Sequence, residues 1–138
     1  MKIFLKIILS VIGFPQHILG FLVWLFLCKK IVEKETIGVA TVYWVGNWNY
    51  GVSLGTMIFL GTIYKTTKDA GETTKKHEYG HTIQSVILGP LYLIIVGIPS
   101  ITFNIISRLS NEFGKDYYKR YPENWADKIS GIKREGVI

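Results

Sequence analysis

The chain is poor in the residues that usually staple a small domain or carry familiar chemistry. A single cysteine, Cys28, stands among 138 residues, which excludes an internal disulfide and a cysteine-built zinc site. There is no internal repeat, low-complexity tract, glycine-rich phosphate loop or serine-nucleophile motif. Charge is missing from two long stretches, Ile7 to Cys28 and Thr82 to Ser107, of 22 and 26 residues. Histidine is scarce as well. Of the three in the chain, His77 and His81 fall four residues apart.

What is present is apolar and basic. Hydrophobic residues make up 49% and the mean hydropathy is +0.27, high for a soluble domain and expected for a membrane-associated one. The length fits one domain. A net charge of +6 is compatible with nucleic acid. The lysines flank apolar segments, however, so anionic lipid headgroups are the simpler partner and no nucleic acid is expected.

Ile7 to Cys28 would span about 33 Å as a helix, enough for a bilayer core. Residues 1–30 are therefore expected to form a membrane helix, and 31–138 the rest of a single domain. A cleaved signal peptide is the rival reading, but the run is long and lacks a small-x-small cleavage site. Lysines flank both ends, so orientation is open. Pro15, Gln16 and His17 interrupt the run. Polar groups there are expected to face protein, with His17 packed or hydrogen-bonded rather than on a metal.

His77-Glu78-Tyr79-Gly80-His81 reads H-E-x-x-H. On a helix, residues four apart share a face, so both imidazoles can reach one metal, and Glu78 stands where it can take a proton from water. Two surface histidines sharing a helix by accident is the bland alternative. A third protein ligand is expected. With His17 and Cys28 in the first apolar run, carboxylates are the candidates. Glu123-Asn124-Trp125-Ala126-Asp127 reads E-x-x-A-D. Glu123 could close the metal shell while Asp127 accepts the second N–H of a ligand histidine. The same residues also read as an ordinary helix start after Pro122.

His77, Glu78, His81, Glu123 and Asp127 together resemble the gluzincin metallopeptidases. The A-D ending is closest to the integral-membrane branch of the CAAX prenyl protease and the heat-shock protease HtpX. The pattern also resembles small bacterial or phage proteins carrying H-E-[FY]-G-H. The resemblance covers Gly51 to about Ile129, in a chain much shorter than those proteases. It implies one Zn²⁺ held by His77, His81 and Glu123, with Glu78 as catalytic base. It also implies a strand before the active-site helix that pairs with extended substrate, and Gly51 to Leu60 is placed to be that strand.

Ile37 to Val45 and Val52 to Leu60, with a turn-like stretch between, suggest a β-hairpin. It would either pair with substrate or merely cover the core. Thr66 to Lys76 contains the loop signal Lys68-Asp69-Ala70-Gly71, with Thr73 or Thr74 as helix cap. Thr82 to Ser107 could be a full span, but His77 and Glu123 would then lie on opposite sides of the bilayer and could not share a metal. It is expected to turn back, with the active-site helix ending near Gly89 and an apolar helical hairpin following, broken at Pro90 and Pro99. Tyr117, Tyr118, Tyr121 and Arg108 are candidates for stabilising an oxyanion, or simply interface aromatics and a helix-end cation.

The fold class expected is α+β and membrane-associated: an N-terminal transmembrane helix, a short β-hairpin, the active-site helix, an apolar helical hairpin and a C-terminal helix. The function expected is a zinc-dependent peptidase integral to a membrane, by resemblance a bacterial cell membrane, acting on an extended peptide. His₂-Glu also suits iron or manganese. Two alternatives stay open: a membrane binding or immunity protein with a non-catalytic metal, and a structural membrane protein with none. Oligomeric state is open, and 138 residues are few for enclosing a site alone, so an oligomer is allowed.

Overall fold

The computed structural model describes residues 2–134; positions 1 and 135–138, at the outer ends of the two expected segments, lie outside the described residues. The fold is mixed α and β. Helices α1 (Lys2–Ile12) and α2 (Phe14–Leu27) lead through a 3-10 turn into strands β1 (Ile31–Ile37), β2 (Ala40–Val45), β3 (Gly51–Leu54) and β4 (Met57–Gly61). Helix α3 (Lys68–Leu88) follows, then α4 (Ile98–Leu109), α5 (Asn111–Lys115) and α6 (Glu123–Ser130).

The first apolar run is not one straight helix. It breaks at Gly13, and the two pieces meet at 108°. Pro15 sits in the first turn of α2, where its missing N–H costs nothing; further into a continuous helix it would clash with the preceding turn. Among the described residues no single helix is long and apolar enough to cross a membrane; only the bent pair has the length and composition. Gln16 and His17 explain the seat of α2. The Gln16 amide donates to the Gly89 carbonyl at 2.6 Å and to Ser85 Oγ at 3.1 Å. His17 Nδ1 donates to the Gly13 carbonyl, and its Nε2 accepts from the Thr56 backbone N–H at 3.1 Å. His17 is thus a hydrogen-bonded packing residue.

The expected single hairpin is instead two, joined into a four-stranded sheet of order β1-β2-β4-β3. β1 and β2 are antiparallel, as are β3 and β4, and the central β2–β4 pair is parallel. Each hairpin turns on a glycine with positive φ, Gly38 at +54° and Gly55 at +65°, in the two-residue loops that suit such a residue. The sequence pattern shows strands but not which ones pair; side-chain packing decides that. Val42, Trp44, Ile58 and Leu60 point to one face, against Tyr79 of α3. Tyr43, Val45 and Phe59 point to the other, against Val23, Trp24 and Leu27 of α2. Parallel register places Val42 beside Ile58 and Trp44 beside Leu60, so both faces stay apolar between two helices.

The predicted loop from Thr66 is mostly helix. Thr67 caps α3, its hydroxyl accepting from the Ala70 N–H, so the cap falls earlier than Thr73 or Thr74. Tertiary anchoring overrides the local loop signal: the buried Lys75 ammonium bonds Glu35 of β1 at 3.0 Å and Glu72 at 2.6 Å. α3 ends at Leu88, with Gly89 at φ +54° and Pro90 next. The chain then turns back as expected, but not as a helical hairpin. A 3-10 turn leads into one continuous helix, Leu93–Leu109, which begins as a π turn and runs on as α4 through Pro99.

Candidate metal centre

α3 carries His77, Glu78 and His81, and α6 crosses it with Glu123 and Asp127. Gly80 permits the crossing. A Cβ at that position would lie 2.3 Å from the Ala126 carbonyl oxygen, so only glycine lets the helices approach this closely. The structure thereby brings together five of the residues singled out in the sequence, all of them buried.

Nε2 of His77 lies 2.8 Å and Nε2 of His81 3.2 Å from the same oxygen, Glu123 Oε2. One ligand atom from each residue falls within 4.8 Å of the other two, close enough to surround a single ion. The outward nitrogens are also engaged. His77 Nδ1 lies 2.7 Å from Asp127 Oδ1, and His81 Nδ1 lies 2.7 Å from Gln84 Oε1. The Gln84 orientation follows from its other end, where its NH₂ donates to the Pro122 carbonyl, which can only accept. Asp127 is held in turn by Arg134, at 2.6 and 3.1 Å. Ser100 Oγ donates to Glu123 Oε1 at 2.5 Å.

The donor count tests whether a cation fits. Asp127 and Gln84 accept at the two Nδ1 atoms, so each of those nitrogens carries its proton. Glu123 Oε2 is an acceptor too, and it faces both Nε2 atoms. Without a cation, both rings must be imidazoliums for every contact to be a hydrogen bond, with two like charges buried in rings 4.9 Å apart. A divalent ion replaces those two protons and meets three lone pairs. The donor set therefore fits a metal.

The electrostatics agree in direction. Burial opposes charge on His77, but hydrogen bonds to Asp127 and Glu123 outweigh it and lift the imidazole to about 9. Burial alone would raise Glu123; bonds from His77 and His81 hold it well below the carboxylate range instead. Asp127 is lowered likewise, burial being outweighed by His77 and Arg134. Glu78 moves the other way, raised chiefly by burial. A Cβ on Gly51 would stand 2.6 Å from Glu78 Oε1, so the strand backbone rests directly against this carboxylate.

The site opens into a cavity of about 420 Å³, whose walls include Gly51 and Ser53 of β3, Ile101 and Asn104 of α4, and Tyr117 and Tyr118. The Tyr118 ring stands edge-on to His77 at 5.2 Å, with Arg134 3.5 Å over its ring centroid. Burial, partly offset by Arg134, raises its phenol to about 12. Tyr117 is raised too, by burial first. Both keep their protons at neutral pH. Tyr121 and Arg108 are placed elsewhere. The Tyr121 hydroxyl donates to the Ile95 carbonyl at 2.6 Å, and Arg108 lies over the Tyr50 ring while donating to the Asn49 carbonyl. Neither lines the cavity.

Gln84, Ser100 and Arg134 did not emerge from the sequence. Gln84 had a signal, lying one turn after His81 on the same face of α3. Ser100 and Arg134 had none, because only the fold brings them to Glu123 and Asp127. No family model, curated protein or solved structure matches the chain, so the site stands on its own geometry.

Proposed function

We propose that this protein is a zinc-dependent peptidase seated at a lipid bilayer, of the gluzincin type that its motifs resemble. The observation that carries the reading is the pair of imidazoles that each face hydrogen-bond acceptors at both nitrogens, two of those contacts meeting on one glutamate oxygen. His77, His81 and Glu123 would hold the ion. Bound there, zinc supplies Lewis acidity to a carbonyl and makes water acidic enough to attack at neutral pH.

The protein's own groups supply the rest. Glu78 takes the proton from the attacking water and returns it to the leaving amine; a buried carboxyl of raised pKa suits both tasks. The protonated Tyr117 and Tyr118 at the cavity wall are the donors for the developing oxyanion, in place of Tyr121 and Arg108. β3 is an edge of the sheet, and its residues line the cavity, which favours an extended peptide as substrate. A cavity of this size beside the ligands also favours catalysis over a closed structural site.

The seat at lipid rests on the outer surface. Phe4, Phe26, Ile94, Ile98 and Leu109 are all more than 60% exposed on α1, α2 and the Leu93–Leu109 segment. Large apolar side chains exposed together on such segments suit contact with lipid. Lys29 and Lys30, in the 3-10 turn after α2, suit anionic headgroups.

The test is Glu78→Gln. It should keep about one zinc per chain and lower peptide turnover by at least about a hundredfold. Equal cleavage by variant and wild type would remove the catalytic role and leave a structural metal site.

A further inference from the structure

We propose that Ser100 is a positioning residue for the metal: through its hydroxyl it orients Glu123 so that one carboxylate oxygen, Oε2, is turned to the histidines. The proposal rests on the metal reading above.

Glu123 comes to the site from a different part of the chain than the histidines and lies in the first turn of α6. Its side chain is 1% exposed, so water does not hold it. Oε2 faces both Nε2 atoms, while Oε1 receives the Ser100 hydroxyl at 2.5 Å. An ionised carboxylate only accepts, so the serine proton points at Glu123, and the short distance marks a charge-assisted bond. Serine inside a helix commonly spends its hydroxyl on the carbonyl one turn back. Here it reaches across to α6. Each proposed ligand then has one outer partner: Asp127 for His77, Gln84 for His81 and Ser100 for Glu123. The first two set which imidazole nitrogen is free; the third sets which carboxylate oxygen is free.

That choice has a chemical consequence. With Oε1 tied back to Ser100, Glu123 would offer a bound cation one oxygen rather than two. With the hydroxyl removed, the carboxylate can turn and offer both oxygens. Ser100 stands on α4, in the apolar stretch that also walls the cavity, so the helix that bounds the substrate space also fixes the third ligand.

The experiment compares full-length wild type, Ser100→Ala and Ser100→Thr, each also in a Glu123→Ala background. Two quantities are read: zinc affinity by chelator competition, and the visible spectrum of the Co²⁺-substituted protein. Thermal unfolding of the metal-free proteins confirms that all are folded. Ser100→Ala should weaken zinc about 10- to 100-fold. It should also dim the Co²⁺ bands, as an added oxygen ligand does. Ser100→Thr should restore both, and Ser100→Ala should have no further effect once Glu123 is gone. Unchanged affinity and spectrum in Ser100→Ala, or the same loss in both backgrounds, would overturn the proposal while leaving the metal site intact. Wild type that takes up neither zinc nor cobalt would overturn the metal reading and this proposal together.

Discussion

His77 and Asp127, fifty residues apart in sequence, meet through a 2.7 Å bond between Nδ1 and Oδ1. The bond leaves the other imidazole nitrogen, Nε2, facing Glu123, and the Arg134 guanidinium keeps Asp127 in place from behind. A carboxylate behind a ligand histidine fixes its tautomer and raises its basicity. Asp127→Ala should therefore weaken zinc binding about 10- to 100-fold, less than His81→Ala, which removes a ligand outright. Chelator competition on the purified proteins gives the order; equal affinities for Asp127→Ala and wild type would contradict it.

Gly80 is the contact on which the helix crossing depends. Alanine there would place its Cβ 2.3 Å from the Ala126 carbonyl oxygen, a backbone atom that cannot step aside. α6 would have to move outward, carrying Glu123 and Asp127 with it. Gly80→Ala should destabilise the protein by about 1–3 kcal/mol despite alanine's better helix propensity. Zinc affinity should fall too. A stabilised variant with unchanged zinc binding would show that the crossing is looser than described.

The pH dependence of the metal-free protein follows from His77. Its folded value of about 9 stands above the ordinary 6.5, so its contribution is complete below about pH 6.5 and lost as pH rises through 9. Glu123 and Asp127 are lowered, so their contributions are complete above the ordinary carboxylate range and are lost as acidification continues down through their lowered values. Metal-free stability should peak in the weakly acidic range. Zinc must displace the His77 proton, so its binding should tighten from about pH 6 towards 9. Melting temperatures with and without zinc across this range measure both trends, and the shift caused by zinc should be larger at the alkaline end.

The exposed apolar face of the Leu93–Leu109 segment should bind lipid. Replacing Ile94 and Ile98, 67% and 61% exposed, with asparagine removes two side chains from that face without touching the cavity wall. Partitioning into phosphatidylcholine vesicles containing phosphatidylserine should drop by about tenfold or more, at roughly 1 kcal/mol per side chain. Zinc content should not change. Identical sedimentation of variant and wild type with vesicles would remove this face from membrane binding.

The motif, its helix and the end of that helix at Gly89 were all legible in sequence, because each depends on neighbours within a turn or two. The i, i+4 spacing of His77 and His81, and of Glu123 and Asp127, already placed each pair on one helix face. The two pairs could share an ion only if the apolar run between them turned back, and His77 and Glu123 do meet at 2.8 Å. Local signals failed where distant atoms decide. The loop reading at Lys68–Gly71 gave way to a helix anchored by Lys75 on Glu35. The straight helix through Gly13 gave way to a bend in which Gln16 and His17 find partners on Gly89 and Thr56.

The sequence alone thus determined which side chains could act and how they are paired along each helix, since helical geometry converts spacing into a shared face. Tertiary structure decided the rest. It paired β2 with β4 in parallel so that both sheet faces could be buried, and it brought Ser100, Gln84 and Arg134 to the side chains around His77, His81 and Glu123. A hydrogen bond needs an approach within about 3 Å, whatever the separation along the chain. Only the packing of α3 against α6, made possible at Gly80, sets those distances.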